Sequence, residues 1–470
     1  ETQQIQELSG KDWRKYRDFN DYDDTASRKL VVMDRHSGDV KWQMTSNYGF
    51  IHNAVTANQN TIYCLDKYPP AVEKRLARRG ISKPSDYRLL ALDAQSGDML
   101  WQTNENIFGS WLSISPEYNL LLQATRPSRD MVRDEDGERM IVYNAETGEM
   151  MWDRAIEYAN PPILHHEKII TDNAAYDLFT GEQINRTDPL TGEEIPWTYS
   201  RTYGCNYNIA GEYLLSFRSA AAGFYDLFKE GGTGNYGGFK SGCTSNLIAA
   251  DGLLNAPDYT RTCQCSYQNQ TSLALIHMPE LEYWTTNQWQ WNGKRIQRIG
   301  INLNAPGDRI ADDGTLWLDF PSVGGESPDI PIQLDSTHIR PFRRFSSSLN
   351  GKNEKWIAAS GLEGPIHLNI RLANQAVDEA EYTVELYFAE VFDKKPDERL
   401  FDIFIQGIKV QEKFDVRRTA GAANMPLVKS FSGIRAADNV TVECRPAKNC
   451  NSQPILSGLK ITMNSEGGAI

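Results

Sequence analysis

Several groups of residues in this chain have the types and spacing that chemistry needs. His165-His166-Glu167 is the one dense histidine–acid cluster. A metal centre needs three or four converging ligands, and neighbours on a strand point to opposite faces, so this cluster reads as a solvated strand end. Asp134-Glu135-Asp136-Gly137-Glu138 has the acid density of a calcium loop without its spacing or closing Glu; like Asp21, Asp23 and Asp24, it reads as acidic surface. Glu390 in YFAEVF and Asp402 in RLFDIF have the chemistry of a glycosidase pair, which requires two carboxyls about 5–10 Å apart. Both belong to a regular strand pattern, and among 62 acidic residues sequence alone selects no pair. GxSxG, HExxH and P-loop motifs are absent, as is a GxGxxG between strand and helix. The rings Tyr283, Trp284, Trp289 and Trp291 offer flat faces for sugar stacking, and their place between two β-rich stretches equally suits glue between domains.

The seven cysteines are Cys64, Cys205, Cys243, Cys263, Cys265, Cys444 and Cys450. Cys444 and Cys450 enclose CRPAKNC, a loop of a size that a disulfide closes. Cys205, Cys243, Cys263 and Cys265 form a second group with three alternative pairings, and Cys64 is left without an assigned role. Disulfides would place the chain in an oxidising compartment. The single CxC at Cys263 and Cys265 does not have the spacing of a zinc site, and CxxCH, the attachment signal of a c-type haem, is missing.

The wider sequence sets bounds on these sites. With 470 residues, two domains are the first expectation. A formal net charge of −13 argues against a general nucleic-acid binder. No apolar run approaches the 18 or so residues of a membrane span. The first residues, ETQQIQELSG, lack a charged-then-apolar signal and read as a mature form or an excerpt of a longer precursor.

A short pattern recurs and explains the architecture. DRHSGDVKW (Asp34–Trp42), DAQSGDMLW (Asp93–Trp101) and NAETGEMMW (Asn144–Trp152) all fit [D/N]-x-x-[S/T]-G-[D/E]-x-x-W. Degenerate copies follow at Asp177–Glu182 and Asp188–Trp197. The glycines Gly38, Gly97, Gly148, Gly181 and Gly192 are spaced by 59, 51, 33 and 11 residues. Each copy follows a short apolar strand (LVVMD, LLALD, MIVYN). The Asp or Asn accepts hydrogen bonds from turn amides, Gly supplies a positive φ, and the chain reverses as a hairpin. The Trp that follows at a fixed distance is best used to pack against the next repeat. Such units, several short strands long, are propeller blades, about six of them by residue 285.

This turn resembles the repeat of PQQ-like propellers, a superfamily that includes quinoprotein dehydrogenases and non-catalytic BamB-type scaffolds. YGCNYNIAG, FRSAAAGFYDL, NYGGFKSGC and CQCSYQNQTSLAL resemble the last blades of large planctomycete surface or periplasmic proteins. A quinoprotein would carry PQQ on the propeller axis, stacked on a Trp and held by Ca²⁺, and many alcohol-oxidising members have two adjacent cysteines. The chain has no Cys-Cys pair and no separable set of calcium ligands, and packing accounts for Trp42, Trp101 and Trp152. Neither PQQ nor Ca²⁺ is therefore expected.

From about Trp291 the pattern changes. LWLDFPSVGG, WIAASGLEG, YTVELYFAEVF, RLFDIFIQGIKVQEKFDV and PILSGLKI are short alternating strands with Gly, Asp and Pro turns, as in a β-sandwich. These motifs resemble malectin-like domains, jelly-roll sandwiches related to carbohydrate-binding modules. The resemblance implies glucose-type oligosaccharide binding through loop aromatics and an acidic residue. Where malectins often read Asp-Asn-Pro before the final strand, with the Asp on sugar, this chain reads Ser452-Gln453-Pro454. Asn449 or Asn451 would then supply part of the hydrogen bonding.

The expectation is an all-β protein: a PQQ-like propeller over residues 1–285 and a malectin-like sandwich over 286–470. It is read as a non-catalytic, extracytoplasmic binder of glycan, through Trp284, Trp289, Trp291, Asn449 and Asn451, or of protein partners, through the propeller faces. A scaffold subunit of a larger assembly is the first alternative and a quinoprotein oxidoreductase the second.

Overall fold

A computed structural model describes residues 26–127, 135–202, 204, 207–239, 247–257, 272–278, 281–287, 290–322, 327–335, 338–351 and 354–464. The fold is all-β, as expected: a run of small antiparallel sheets followed by a two-sheet sandwich. Among the described residues before 288, the strands form six antiparallel sheets of five, four, three, two, five and three strands. The first runs in chain order from Ala26–Met33 to Met99–Thr103, and the second from Trp111–Ser115 to Met150–Tyr158. A short helix, Pro70–Arg78, interrupts the first sheet; its Pro at the first turn and Arg78 in the last suit a helix's ends.

Each repeat turn is built by one side chain. Asp34 Oδ1 accepts the N–H groups of His36 and Ser37 at 2.9 and 3.0 Å. Asp93 does the same for Gln95 and Ser96, and Asn144 for Glu146 and Thr147. These amides hold the Asp34 and Asp93 carboxyls below the ordinary Asp range. Gly38, Gly97 and Gly148 close the turns at φ of 78°, 79° and 75°.

The repeat tryptophans join consecutive turns. Trp42 Nε1 donates to the Ala94 carbonyl at 3.1 Å, Trp101 Nε1 to Ala145 at 2.9 Å and Trp152 Nε1 to Leu178 at 2.9 Å. In every case the acceptor immediately follows the Asp or Asn of the next turn. The indole also lies against that turn's glycine: a Cβ on Gly97 would stand 2.7 Å from Trp42, and one on Gly148 2.7 Å from Trp101. A further turn, at Asp226, was not legible in sequence. Asp226 Oδ1 accepts Phe228 and Lys229 N–H at 2.9 and 2.8 Å, with Glu230 at φ 52° in the glycine's place. Trp197 Nε1 donates to that Glu230 carboxylate at 2.5 Å.

The sandwich packs a six-stranded sheet, ordered Arg309–Ile310, Leu316–Phe320, Arg298–Leu303, Gly458–Met463, Ala380–Phe388, Leu427–Ala436, against a five-stranded one. The second is ordered Ile332–Leu334, Ile366–Arg371, Asn439–Pro446, Phe401–Ile405, Ile408–Phe414. Strand alternation sends Tyr382, Val384 and Leu386 inward from one sheet to meet Ile366, Leu368, Ile370, Phe401 and Ile403 of the other. FDIFIQGIKV, an alternating run in sequence, is a hairpin: Gln406 and Gly407, at φ 50° and 75°, turn the chain between Phe401–Ile405 and Ile408–Phe414.

The expected Cys444–Cys450 bridge is not formed; both are free thiols. Strand register is the reason. Cys444 points into the core opposite Ile403, whereas Cys450 Sγ lies against the amide of Leu400, just before that strand and three residues from Ile403. Three residues of strand are about 10 Å, beyond the ~7 Å Cα separation a disulfide spans. Burial pushes the Cys444 thiol up to about 12. Cys64 is a buried free thiol of the first sheet, likewise raised to about 12. Cys205, Cys243, Cys263 and Cys265 lie outside the described residues.

The turn geometry ranks three substitutions. Gly38→Ala meets open space and should cost only the positive-φ penalty, about 1–2 kcal/mol. Gly97→Ala and Gly148→Ala add a clash with a tethered indole and should cost about 1–3 kcal/mol more. Denaturant unfolding of the three variants measures the difference; equal losses would contradict the packing described.

Candidate functional site

The sandwich loops meet at one end around a buried guanidinium. The Arg399 and Glu390 side chains are 1% and 0% exposed, with Nε–Oε2 2.7 Å apart. Arg399 Nη2 reaches Glu363 Oε1 at 2.8 Å, and Nη1 donates to the Gln453 carbonyl. Two carboxylates and a carbonyl thus satisfy a charge that would otherwise be very costly to bury. Burial pushes the Glu390 carboxyl up, against the pull of Arg399. The bond to Gln453 ties the Cys450–Pro454 loop to the sheet end.

The surface around this pin has a definite composition. Arg340 and Arg399 lie over the Phe392 ring, 5.2 and 5.5 Å from its centroid. Arg340 also approaches Glu363 at 3.6 Å. Asn449, at φ 68°, and Asn451 are exposed on the pinned loop. Such an array can donate and accept hydrogen bonds and offers one aromatic ring. Its carboxylates are engaged by Arg399, so they are poorly placed for acid–base work. Asp402, the other half of the carboxylate pair considered in sequence, is tied to Lys409 at 2.8 Å and accepts Lys413 N–H.

The tryptophans considered for ligand binding have separate surroundings. Trp284 packs edge-on against Trp356, ring centroids 6.0 Å apart, and Arg309 lies 4.8 Å over Trp356 and 4.7 Å over Tyr283. Trp291 donates from Nε1 to the Lys294 carbonyl at 2.9 Å and packs on the sandwich core. Trp289 lies outside the described residues, as do Asp21, Asp23, Asp24 and Asp134. Glu135 is a correction to the acidic-surface reading: it is buried, accepting hydrogen bonds from Ser110 Oγ at 2.7 Å and Arg126 N–H at 2.8 Å. His166 occupies a hairpin tip at φ 49°, 3.1 Å from Glu117 and 3.4 Å from Glu212, which raise its pKa. Among the described residues no His, Cys, Asp and Glu side chains cluster in a way that could hold a metal ion.

The repeat segment meets the sandwich through the turn at Asp188. Leu190, at its tip, is fully buried in the sandwich core, and its carbonyl accepts Gln297 N–H at 2.7 Å. Gln297 takes the place of the missing tryptophan over Gly192, whose Cβ would lie 2.8 Å from Gln297 Oε1. Lys294 pairs with Glu193 at 2.6 Å. The next turn adds Lys229–Asp312 at 2.9 Å. Thr285 and Asp308 exchange backbone hydrogen bonds, and Asn287 Nδ2 donates to Asp308 Oδ2 at 3.0 Å. Burial pushes the Asp308 carboxyl up to about 7.

Two family models match the chain. Residues 22–116 match the model described as outer membrane protein assembly factor BamB, and residues 370–466 match the Malectin domain. The chain thus resembles BamB over residues 22–116 and a malectin domain over residues 370–466. A comparison with curated proteins returned no match. Among solved structures, BamB from Moraxella catarrhalis is similar at 15% identity and a TM-score of 0.33, over 49% of this chain and 62% of that one. The ANX2 ectodomain from Arabidopsis thaliana is similar at 13% identity and a TM-score of 0.29, over 36% of this chain and 50% of that one. A plant complex of the peptide RALF23 with FER and LLG2 gives 16% and 0.29, over 36% of this chain and 49% of that one. The chain therefore spans about half to three-fifths of the length of these three solved chains.

Removing the pin leaves the buried Glu390 carboxylate without its partner and Glu363 with only the more distant Arg340. Arg399→Ala should cost about 3–5 kcal/mol and should raise hydrogen exchange first in the Cys450–Pro454 loop. An exposed-site change, Arg340→Ala, should cost under about 1 kcal/mol. Comparable losses from the two would show that Arg399 does not organise this end.

Proposed function

We propose that the protein is a non-catalytic, extracytoplasmic binding protein that recognises glycans through the loop end of its sandwich. The observation that carries this reading is the Arg399 pin. A buried ion network is spent on fixing a loop whose own side chains, Asn449 and Asn451, are exposed. Holding a polar loop in one conformation reduces the ordering cost of binding. The two amides, the Arg340 guanidinium and the Phe392 ring suit a ligand with hydroxyls on its edges and C–H groups on its faces. The malectin-like fold adds analogy, which is weaker support because a fold hosts many functions. No described helix is long and apolar enough to cross a membrane.

A second reading, protein-partner recognition within a larger assembly, is favoured by a separate observation. In two of the repeat turns the two positions between the acidic residue and the Trp are exposed and apolar: Met99 and Leu100, then Met150 and Met151. These repeat an apolar step along the outer strands, a surface suited to a partner.

A glycan array probed with the full chain tests the first reading. Saturable binding to a defined oligosaccharide is expected, reduced at least about tenfold by Asn449→Ala with Asn451→Ala, since each lost hydrogen bond is worth roughly 1 kcal/mol. Silence across the array, or binding indifferent to these changes, would remove the sandwich loops as the site. Partner capture that is lost in Met150→Lys would then favour the second reading.

A further inference from the structure

We propose that the repeat segment holds a second ligand site, independent of the sandwich loops, which takes a small neutral saccharide or polyol. It is a cavity of about 380 Å³, within the ~300–1,000 Å³ of ligand pockets. Its walls come from the ends of successive repeat strands. Asn160 follows Met150–Tyr158, Asp172 and Asn173 turn between Lys168–Ile170 and Ala175–Asp177, and Ser200 follows Glu194–Pro196. Sites assembled from strand ends are held more rigidly than sites on free loops.

The chemistry of the walls selects the ligand. Most ligand pockets are lined by aliphatic and aromatic groups; here Ala159 is the only aliphatic side chain among the described lining. An apolar ligand would leave a ring of amides, hydroxyls and a carboxylate without partners, which costs about 1–3 kcal/mol for each group. A strongly anionic ligand would need open guanidinium forks. Arg201 is instead committed to the protein, donating to the Arg218 carbonyl at 3.0 Å, Asn208 Oδ1 at 2.6 Å and the Gly204 carbonyl at 2.9 Å. Arg186 donates to Tyr225 Oη at 3.1 Å. The lining tryptophan that a flat stacked cofactor would use is likewise missing from the described wall.

What faces the cavity matches a polyhydroxylated molecule. Asp172, positioned by the Ala159 N–H on its Oδ1 at 2.8 Å, supplies an acceptor for vicinal hydroxyls. The amides of Asn160 and Asn173 both donate and accept. Tyr199 and Tyr225, ring centroids 5.5 Å apart and 6% and 1% exposed, form the firm backing of the wall behind its polar groups. Both rings are buried among Trp197 and Phe217, so the wall is fixed before a ligand arrives.

Isothermal titration of the full chain with glucose, N-acetylglucosamine, maltose and cellobiose tests the site. Saturable binding of at least one sugar is expected. Asn160→Ala with Asn173→Ala should weaken it at least about tenfold, and Asp172→Asn should weaken it in an equally folded protein judged by circular dichroism. Asn449→Ala with Asn451→Ala, which disables the sandwich loops, should keep a binding step that Asn160→Ala with Asn173→Ala removes, and this separates the two sites. No heat from any of the four sugars at millimolar concentration would overturn the proposal. So would binding lost only in the sandwich variant.

Discussion

The contact on which the repeat segment depends is an indole seated on the next turn's glycine. A tryptophan brings large apolar burial and one N–H that must find an acceptor. Here both needs are met by the same neighbouring turn: the ring covers a residue with no Cβ, and Nε1 reaches the carbonyl beside the turn's Asp or Asn. The Asp closes its turn through two amides, so the platform is rigid before the indole arrives. The turns at Asp93 and Asn144 each receive one tryptophan while the strand beyond sends out another, so the contact passes on from the Asp34 repeat as far as the Asp177 turn.

Where the series runs out of tryptophans, the sandwich takes over. The Asp177 copy sends no indole to the following turn; Gln297 covers Gly192 instead, and Leu190 enters the sandwich core. The same short turn thus serves as a repeat element and as a plug between the two folds. The tethers Lys294–Glu193, Lys229–Asp312 and Thr285–Asp308 extend this junction on either side. The aromatic residues near it, Tyr283, Trp284 and Trp356 with Arg309 between them, reinforce it.

Local physics was legible in sequence and long-range physics was not. The turns at Asp34, Asp93 and Asn144 could be read because the bonds that shape them span two to five residues. The turn at Asp226 could not, since Glu230 replaces the marker glycine and pays the positive φ itself. The Gln406–Gly407 reversal was hidden inside a run whose alternation continues through it. The Arg399 pin joins residues 9, 36 and 54 positions away, a convergence only the sheet register creates. Cys444 and Cys450 are close in sequence, yet the register separates them along the neighbouring strand. Glu135 looked like acidic surface because its partners, Ser110 and Arg126, lie outside the acidic run.

The plug makes the repeats and the sandwich a single cooperative unit, which fixes the sandwich loops relative to the repeat sheets. Scanning calorimetry of the full chain and of Leu190→Ala measures it directly. The account predicts one transition in the parent chain, and a loss of about 2–5 kcal/mol in the variant from an emptied core site, with repeat and sandwich unfolding displaced together. Two separate transitions in the parent chain, or a variant in which only one half shifts, would contradict it.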